Sequence, residues 1–256
     1  MDVREGPGGA AGDLVTLRAV RKSFGSVEAL RGVDFSVGRG EIVALLGDNG
    51  AGKSTLIKIL SGLHAPSSGD FLFKGQRVDP RRFDAARARR MGIETVYQDR
   101  ALGLQQSLWR NVFVGRHVRT RWGLIDVAEE RRATSELLRR LGLGGTRLAP
   151  DTPAKVLSGG ERQGLAIARA MLFHAELVLL DEPTTALALS EVDKVLGFVR
   201  ELRDGGRSAV FITHNIEHAW QVADRFVVLS HGRGVGAWAR EELTLGLLLA
   251  RLREAA

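Results

Sequence analysis

Short, unbroken apolar runs set the rhythm of this chain. "EIVALL" (41–46), "LVLLD" (177–181), "SAVFIT" (208–213) and "RFVVLS" (225–230) read as strands. Such continuous runs suit strands covered on both faces. "LVTLRAV" (14–20) and "VDFSV" (33–37) add two more strands, and "DFLFKGQRV" (70–78) looks like a hairpin with Lys74-Gly75 in or near its turn. "GIETVYQ" (92–98) returns as a strand. Helical patterns fill the intervals: from Lys53 to about Ser61, stopped by Gly62, then from about 160, from Ser190 and from Asn215. Strands alternating with helices of this length predict an α/β fold around a mostly parallel sheet.

The texture changes between about 99 and 155. Arginines and leucines recur at helical spacing, as in "EERRATSELLRRLGL", and strand signals fade, so a mostly helical segment is expected as an insertion. Residues 1–12 are glycine-rich and polar and are expected to be disordered. The C-terminal "EELTLGLLLARLREAA" (241–256) is amphipathic, with either the core or a neighbour as its packing surface. No internal repeat and no interdomain linker is visible.

Composition narrows the classes. At 256 residues and 44% apolar content, the chain is long enough for a sizeable core. No run approaches eighteen or so apolar residues, and "MDVREGPGGAAGD" has no apolar stretch after its charges, so a soluble chain without a signal peptide is expected. The absence of cysteine removes disulfides and thiolate metal sites. The net charge is +7, and only six of 37 cationic residues are lysines (22, 53, 58, 74, 155 and 194). A basic face suits nucleic acid, anionic headgroups or an acidic partner; an ordinary solvated surface accounts for it equally well.

Two stretches carry more specific chemistry. "GDNGAGKST" (47–55) fits G-x-x-x-x-G-K-[ST] at every fixed position and lies between a strand and a helix. Gly47, Gly50 and Gly52 let the backbone aim its N–H groups at a β-phosphate, with Asp48, Asn49, Ala51 and Thr55 completing the loop. Lys53 neutralises the β- and γ-oxygens, and the Ser54 hydroxyl ligates Mg²⁺. "LVLLDE" places Asp181 at the C-terminal end of a central strand, where open α/β sheets bind ligands. Alternation along a strand would send Asp181 and Glu182 to different faces, one for the Mg²⁺ shell and the other for the attacking water. His214 ends the next strand, within reach of a γ-phosphate, and Gln98 offers an amide oxygen to metal or water. The second stretch, "LSGGERQ" (157–163), precedes a helical pattern and reads as another anion-facing helix start, without a lysine.

In this order, the phosphate loop, Gln98, "LSGGERQ", "LVLLDEP" and "ITHN" resemble the ATP-binding cassette ATPases over roughly residues 14–240. The resemblance implies a phosphate-loop NTPase fold with an antiparallel β subdomain and an inserted helical subdomain. It implies an ATPase domain over 13–240, a C-terminal helix over 241–256, and ATP and Mg²⁺ as ligands. It assigns Phe24 to adenine stacking, Gln98 to sensing metal and the membrane partner, Glu182 to the catalytic base and His214 to the switch histidine. It also implies a homodimer in which Ser158, Gly159 and Gly160 of one subunit close on the γ-phosphate held by the other. The segment 99–155, with the glutamine loop, would form a groove for a cytoplasmic helix of a permease. One departure is Ala188, near the position where the family often has an aspartate.

"VYQD", "NVFVGR", "EPTTAL" and "HNIEHAWQVADR" resemble the branch importing monosaccharides such as ribose, xylose or fructose. That branch implies a peripheral subunit on the cytoplasmic face of the cell membrane, with substrate choice left to the permease and an extracytoplasmic sugar-binding protein. The alternative is a soluble, nucleic-acid-acting ATPase of the same superfamily. The chain has neither heptads nor a second phosphate loop to match such relatives, so no nucleic acid is expected as a partner.

Overall fold

A computed structural model describes residues 12–97, 102–143 and 148–255. In chain order, Val15–Phe24 (β1), Val27–Val37 (β2) and Ile42–Leu46 (β3) lead into the helix Lys53–Leu60 (α1). Ser68–Phe73 (β4), Gln76–Arg77 (β5), Ala85–Arg90 (α2) and Ile93–Val96 (β6) follow. Next come the helices Leu108–Phe113 (α3), Val127–Arg140 (α4) and Gly159–Leu172 (α5). Leu177–Asp181 (β7), Leu189–Asp204 (α6), Ser208–Ile212 (β8) and Ile216–Val222 (α7) restore the alternation. Arg225–Ser230 (β9), Arg233–Ala239 (β10) and Leu245–Ala255 (α8) complete the chain.

The larger sheet runs β10-β9-β3-β8-β7-β6. Its pairs are parallel except β9–β10, which is antiparallel. The period-2 geometry of a strand divides its side chains cleanly. Val43, Leu45, Leu177, Leu179, Val210 and Ile212 enter the core under α1 and the smaller sheet. Ala44, Leu46, Val178, Leu180, Ala209 and Phe211 enter a second core under α5, α6, α7 and α8. Both faces are therefore dry, which explains the unbroken apolar runs. The smaller sheet, β2-β1-β4-β5, is antiparallel throughout. Lys74 and Gly75 both have positive φ, 53° and 74°, as a two-residue hairpin turn with strand-matching twist requires.

A third core gathers Leu108, Val112, Phe113, Leu137, Leu138 and Leu165. It lies among α3, α4 and α5, so the inserted segment joins the rest through the side of α5. Its regular elements among the described residues are helical, but much of 114–126 is loop around a tight turn, with Thr120 N donating to Leu124 O at 2.8 Å. Three features have no counterpart in the sequence pattern: α2, β10 and the extension of β2 back to Val27. The strand β10 carries three glycines within the nine residues 232–240, two of them inside the strand, which masks its period. The C-terminal helix α8 packs on the core, burying Leu248 fully with Leu252 and Ala255 against the same cluster. Residues 1–11 lie outside the described residues.

Candidate functional site

The loop 47–52 turns the chain from β3 into α1, and its geometry dictates glycine at two points. Gly47 has φ +139°, and a Cβ there would stand 2.1 Å from the Leu229 carbonyl oxygen on β9. Gly52, the N-cap of α1 with φ +105°, would place a Cβ 2.8 Å from Leu30 Cδ2 and 2.9 Å from Ala29 O. A glycine N-cap offers no side chain to the first N–H groups of α1, which stay available to an anion. Lys53 folds back over the loop, its Nζ donating to Gly47 O at 2.5 Å and to Asp48 O at 2.9 Å. Burial pushes its pKa down, while Glu182, Asp48 and Asp181 pull the other way. Loop cation and strand-end acids therefore share one electrostatic neighbourhood. Asp48, Asn49, Gly50 and Ser54 are exposed, Thr55 is half-buried and Ala51 is buried.

Asp181 closes β7. Burial, then the neighbouring Glu182, pushes its carboxyl above the usual range, while Lys58 and Lys53 oppose the shift. A half-buried carboxylate with a second one beside it suits a bound cation. Among the described residues, no cluster of three or more His, Asp or Glu could hold a metal alone. Asp181 with the Ser54 hydroxyl nonetheless fits Mg²⁺, which keeps waters and takes phosphate oxygens alongside one or two protein ligands. Gln98 lies outside the described residues.

Glu182 does not diverge from Asp181 by strand alternation, as the sequence had suggested. Its backbone has left β geometry, with φ +50°, although its N–H still donates to Ile212 O of β8 at 3.0 Å. A left-handed backbone at a bulky non-glycine residue costs about 1–2 kcal/mol. Glu182 Oε2 accepts from Thr185 Oγ1 at 3.1 Å and lies 2.9 Å from His214 Nδ1. The Glu182 side chain is 16% exposed and that of His214 69%, so a sheltered carboxylate meets an open imidazole. His214 follows β8, the immediate neighbour of β7, and Asn215 anchors the turn by donating its N–H to Thr213 Oγ1 at 3.0 Å. Sequence reasoning missed Thr185, and it missed the 3.0 Å contact between buried Thr184 and His218 Nδ1. The repeated threonine soon after the acid pair was the available signal.

Phe24 ends β1 and is 44% exposed. Its ring meets His64 edge-on at 5.2 Å, with Lys22 Nζ 5.0 Å from the ring centre. Ser158 is the N-cap of α5. Its Oγ accepts from Glu161 N at 3.2 Å, and Glu161 Oε2 accepts from Ser158 N at 2.8 Å. This is a Ser-x-x-Glu capping box, whose signature is "SGGE" itself. Gly159 and Gly160 press on the start of α6 and the residue run before it: a Cβ on the first would lie 2.8 Å from Leu187 Cδ2, and on the second 2.7 Å from Glu191 Cβ. Ala188 is the N-cap of α6.

Beside β6, a cavity of about 200 Å³ is lined by Arg89, Glu94, Tyr97, Leu102 and Arg169. Glu94 is ion-paired with Arg116, yet burial still pushes its carboxyl up against the pull of Arg116, Arg169 and Arg89.

The family model described as "ABC transporter" matches residues 30–185. The chain is 45% identical over 233 residues to a xylose/arabinose import ATP-binding protein of Sulfolobus acidocaldarius, covering 90% of each. It is 43% identical over 223 residues to a ribose import ATP-binding protein of Rubrobacter xylanophilus, covering 87% of this chain and 44% of the relative. A ribose import ATP-binding protein of Chromobacterium violaceum is 41% identical, with 87% and 43% covered, so the chain spans less than half the length of these ribose relatives. Among solved structures, a nucleotide-free ATP-binding cassette from an ABC transporter superposes with a TM-score of 0.82 at 23% identity, covering 95% and 98%. At that identity it speaks for the fold alone. A dimeric cassette in a post-hydrolysis state, bound to ADP and Pi, superposes with a TM-score of 0.73 at 27% identity, covering 88% of this chain and 98% of that one. Phosphate loop, strand-end acids, histidine and Ser-Gly-Gly helix start thus stand beside the family match and the relatives: the chain belongs to the ABC transporter family.

Proposed function

We propose that this protein hydrolyses ATP as the motor subunit of a monosaccharide importer, working as a homodimer on a separate membrane permease. The observation that carries the hydrolytic part is the convergence of Lys53, Asp181, Glu182 and His214 at one end of the parallel sheet. The Lys53 ammonium exchanges its two loop carbonyls for the β- and γ-phosphate oxygens. Phe24 offers its exposed ring to the adenine. Glu182 takes the proton of the attacking water as general base, and Thr185 and His214 hold its carboxylate in place. His214 also stabilises charge on the γ-phosphate. Mg²⁺, held by Ser54, Asp181 and Gln98, would neutralise the phosphate charge during transfer.

In the same reading, Ser158, Gly159 and Gly160 complete the site of the partner subunit. Nucleotide then bridges two copies, and loss of the γ-phosphate lets them part. The cavity beside Tyr97, lined by α2, β6 and α5 with Leu102 of the inserted segment at its edge, is the proposed seat for a permease helix. The ATPase domain runs over 13–240, and the C-terminal segment that follows carries α8. The pentose-import relatives support a sugar as cargo over the nucleic-acid alternative. No helix among the described residues is long and apolar enough to cross a membrane. The assembly would sit on the cytoplasmic face of the membrane, with a sugar-binding protein on the far side.

The test is reconstitution with the permease and binding protein in liposomes. Uptake of labelled ribose, xylose, arabinose or fructose should require ATP on the side of the ATPase and should stop with Glu182→Gln. ATP turnover without ATP-dependent uptake of any monosaccharide would contradict the proposal.

A further inference from the structure

Between α3 and α4 the chain doubles back through a tight protrusion. Asp126 N donates to Val118 O at 2.8 Å, a β-bridge pairs Arg119 with Ile125, and Thr120 N donates to Leu124 O. Gly123, with φ +79°, lies in the turn, and its carbonyl accepts from Arg119 Nη1 at 2.7 Å. The base is tied down by Val118 N, which donates at 2.9 Å to Oε1 of the fully buried Glu130 of α4. This ordered tip holds apolar side chains out in water: Trp122 is 75% exposed, Leu124 69% and Ile125 42%. Single exposed apolar residues are ordinary, but three within four positions form a patch. Charge follows the same segment. Residues 100–125 contain five arginines and no acidic residue, and Arg121 lies over the Trp122 ring at 4.7 Å. The acids that come next serve the chain itself: Asp126 caps α4, Glu129 pairs with Arg132, and Glu130 holds the base of the tip.

We propose that the tip 119–125 is a membrane-interface anchor: its apolar side chains enter the headgroup region of an anionic bilayer while Arg119 and Arg121 meet lipid phosphates. A stable protein partner takes roughly 20–30 residues from each side, more than this short tip supplies by itself. A bilayer surface asks for no matching shape. An indole ring is at home at headgroup depth, with its N–H toward water and its body in the acyl boundary. Leu124 and Ile125 add apolar surface, and each arginine near an anionic leaflet adds attraction. The net charge of +7 draws the whole chain toward the same surface. A turn that is already ordered also loses little further freedom on insertion. The contact adds to docking on a permease and does not depend on it.

The experiment is co-sedimentation of the full chain with vesicles of equal parts phosphatidylglycerol and phosphatidylcholine, against phosphatidylcholine alone. The mixed vesicles should bind it, and binding should weaken as salt rises. Trp122→Ala, which changes no charge, should lower the partition coefficient about tenfold, the effect of burying one large apolar side chain. Arg121→Ala should lower it about fivefold. Both residues are exposed, so thermal midpoints without vesicles should match the parent. Brominated acyl chains should quench tryptophan emission in the parent but not in Trp122→Ala, because Trp109 is buried and Trp220 and Trp238 pack against the core. A parent that ignores the mixed vesicles, or a Trp122→Ala protein that binds them equally well, overturns the anchor. If that variant instead loses uptake in the reconstituted importer with vesicle binding unchanged, the tip belongs to a protein partner and the anchor is likewise overturned. The vesicles hold no permease, so each of these failures leaves the motor reading standing.

Discussion

The same substitution at two helical glycines should change stability in opposite directions. Gly197 lies inside α6, and a Cβ there would meet no heavy atom within 4 Å, so Gly197→Ala adds only helix propensity, about 1 kcal/mol. Gly164 lies inside α5, buried, and a Cβ there would stand 2.4 Å from Phe198 Cε2 and 3.0 Å from Cδ2 on α6. Ordinary carbon contacts are about 3.5–4.0 Å, so the overlap exceeds an ångström and the two helices or the ring must move. Overpacking of this kind costs about 2 kcal/mol, which outweighs the same propensity gain and leaves a net loss near 1 kcal/mol. The two variants should therefore differ by about 2 kcal/mol, or roughly 4–8 °C in thermal midpoint for a chain of this size. Calorimetry without nucleotide reads the difference directly. Phe198→Leu should recover part of the Gly164→Ala loss, because the two sites share one contact. Because α5 carries the Ser158 helix start, Gly164→Ala should also weaken nucleotide-driven dimerisation while leaving nucleotide binding at the Lys53 loop intact. A Gly164→Ala protein as stabilised as Gly197→Ala would refute the close α5–α6 contact on which the placement of Ser158 depends.

Other outcomes follow from the site. Asp181→Asn should raise the thermal midpoint of the nucleotide-free protein while hydrolysis falls by orders of magnitude. The folded-state pKa of Asp181 is raised, so its ionisation opposes folding from the unfolded value of about 4 upward and does so fully above the folded value; in a pH series of melts the gain over wild type should shrink as pH falls through the folded pKa and be gone below about 4. His214→Ala removes the 2.9 Å partner of Glu182 and should lower kcat about 10²–10³-fold in a steady-state phosphate-release assay, with nucleotide binding preserved. Gly47→Ala cannot be relieved by a side-chain rotation, because the 2.1 Å clash is with the Leu229 backbone; fluorescent-nucleotide titration should show binding lost.

The strands of the larger sheet are legible because their burial on both faces leaves unbroken apolar runs; "LVLLD" and β7 coincide residue for residue. β10 is not, since its glycines and an exposed face erase the pattern, and α2 is too short, at six residues, to show a period. The turn from β3 into α1 is legible, because Gly47, Gly50 and Gly52 answer to positive φ, whereas the close approach of Leu229 to Gly47 and of Leu30 to Gly52 is not. The glycines of "LSGGE" read in sequence as room for an anion, whereas this chain also requires them for the approach of Leu187, just before α6, and Glu191, in its first turn. That contact joins residues some thirty positions apart and has no local signature. The Glu182–His214 pair is similar: the sequence names both ends, but their 2.9 Å meeting depends on β7 and β8 being adjacent and on the left-handed turn at Glu182.

In the proposed arrangement, nucleotide holds two copies of this chain together, each finishing the other's site. Sedimentation of the Glu182→Gln protein with saturating ATP and Mg²⁺ tests it most directly. A dimer should form and should revert to monomer when nucleotide is removed or when Ser158 is replaced by arginine. A protein that stays monomeric with bound ATP, alone and beside its permease, would contradict it.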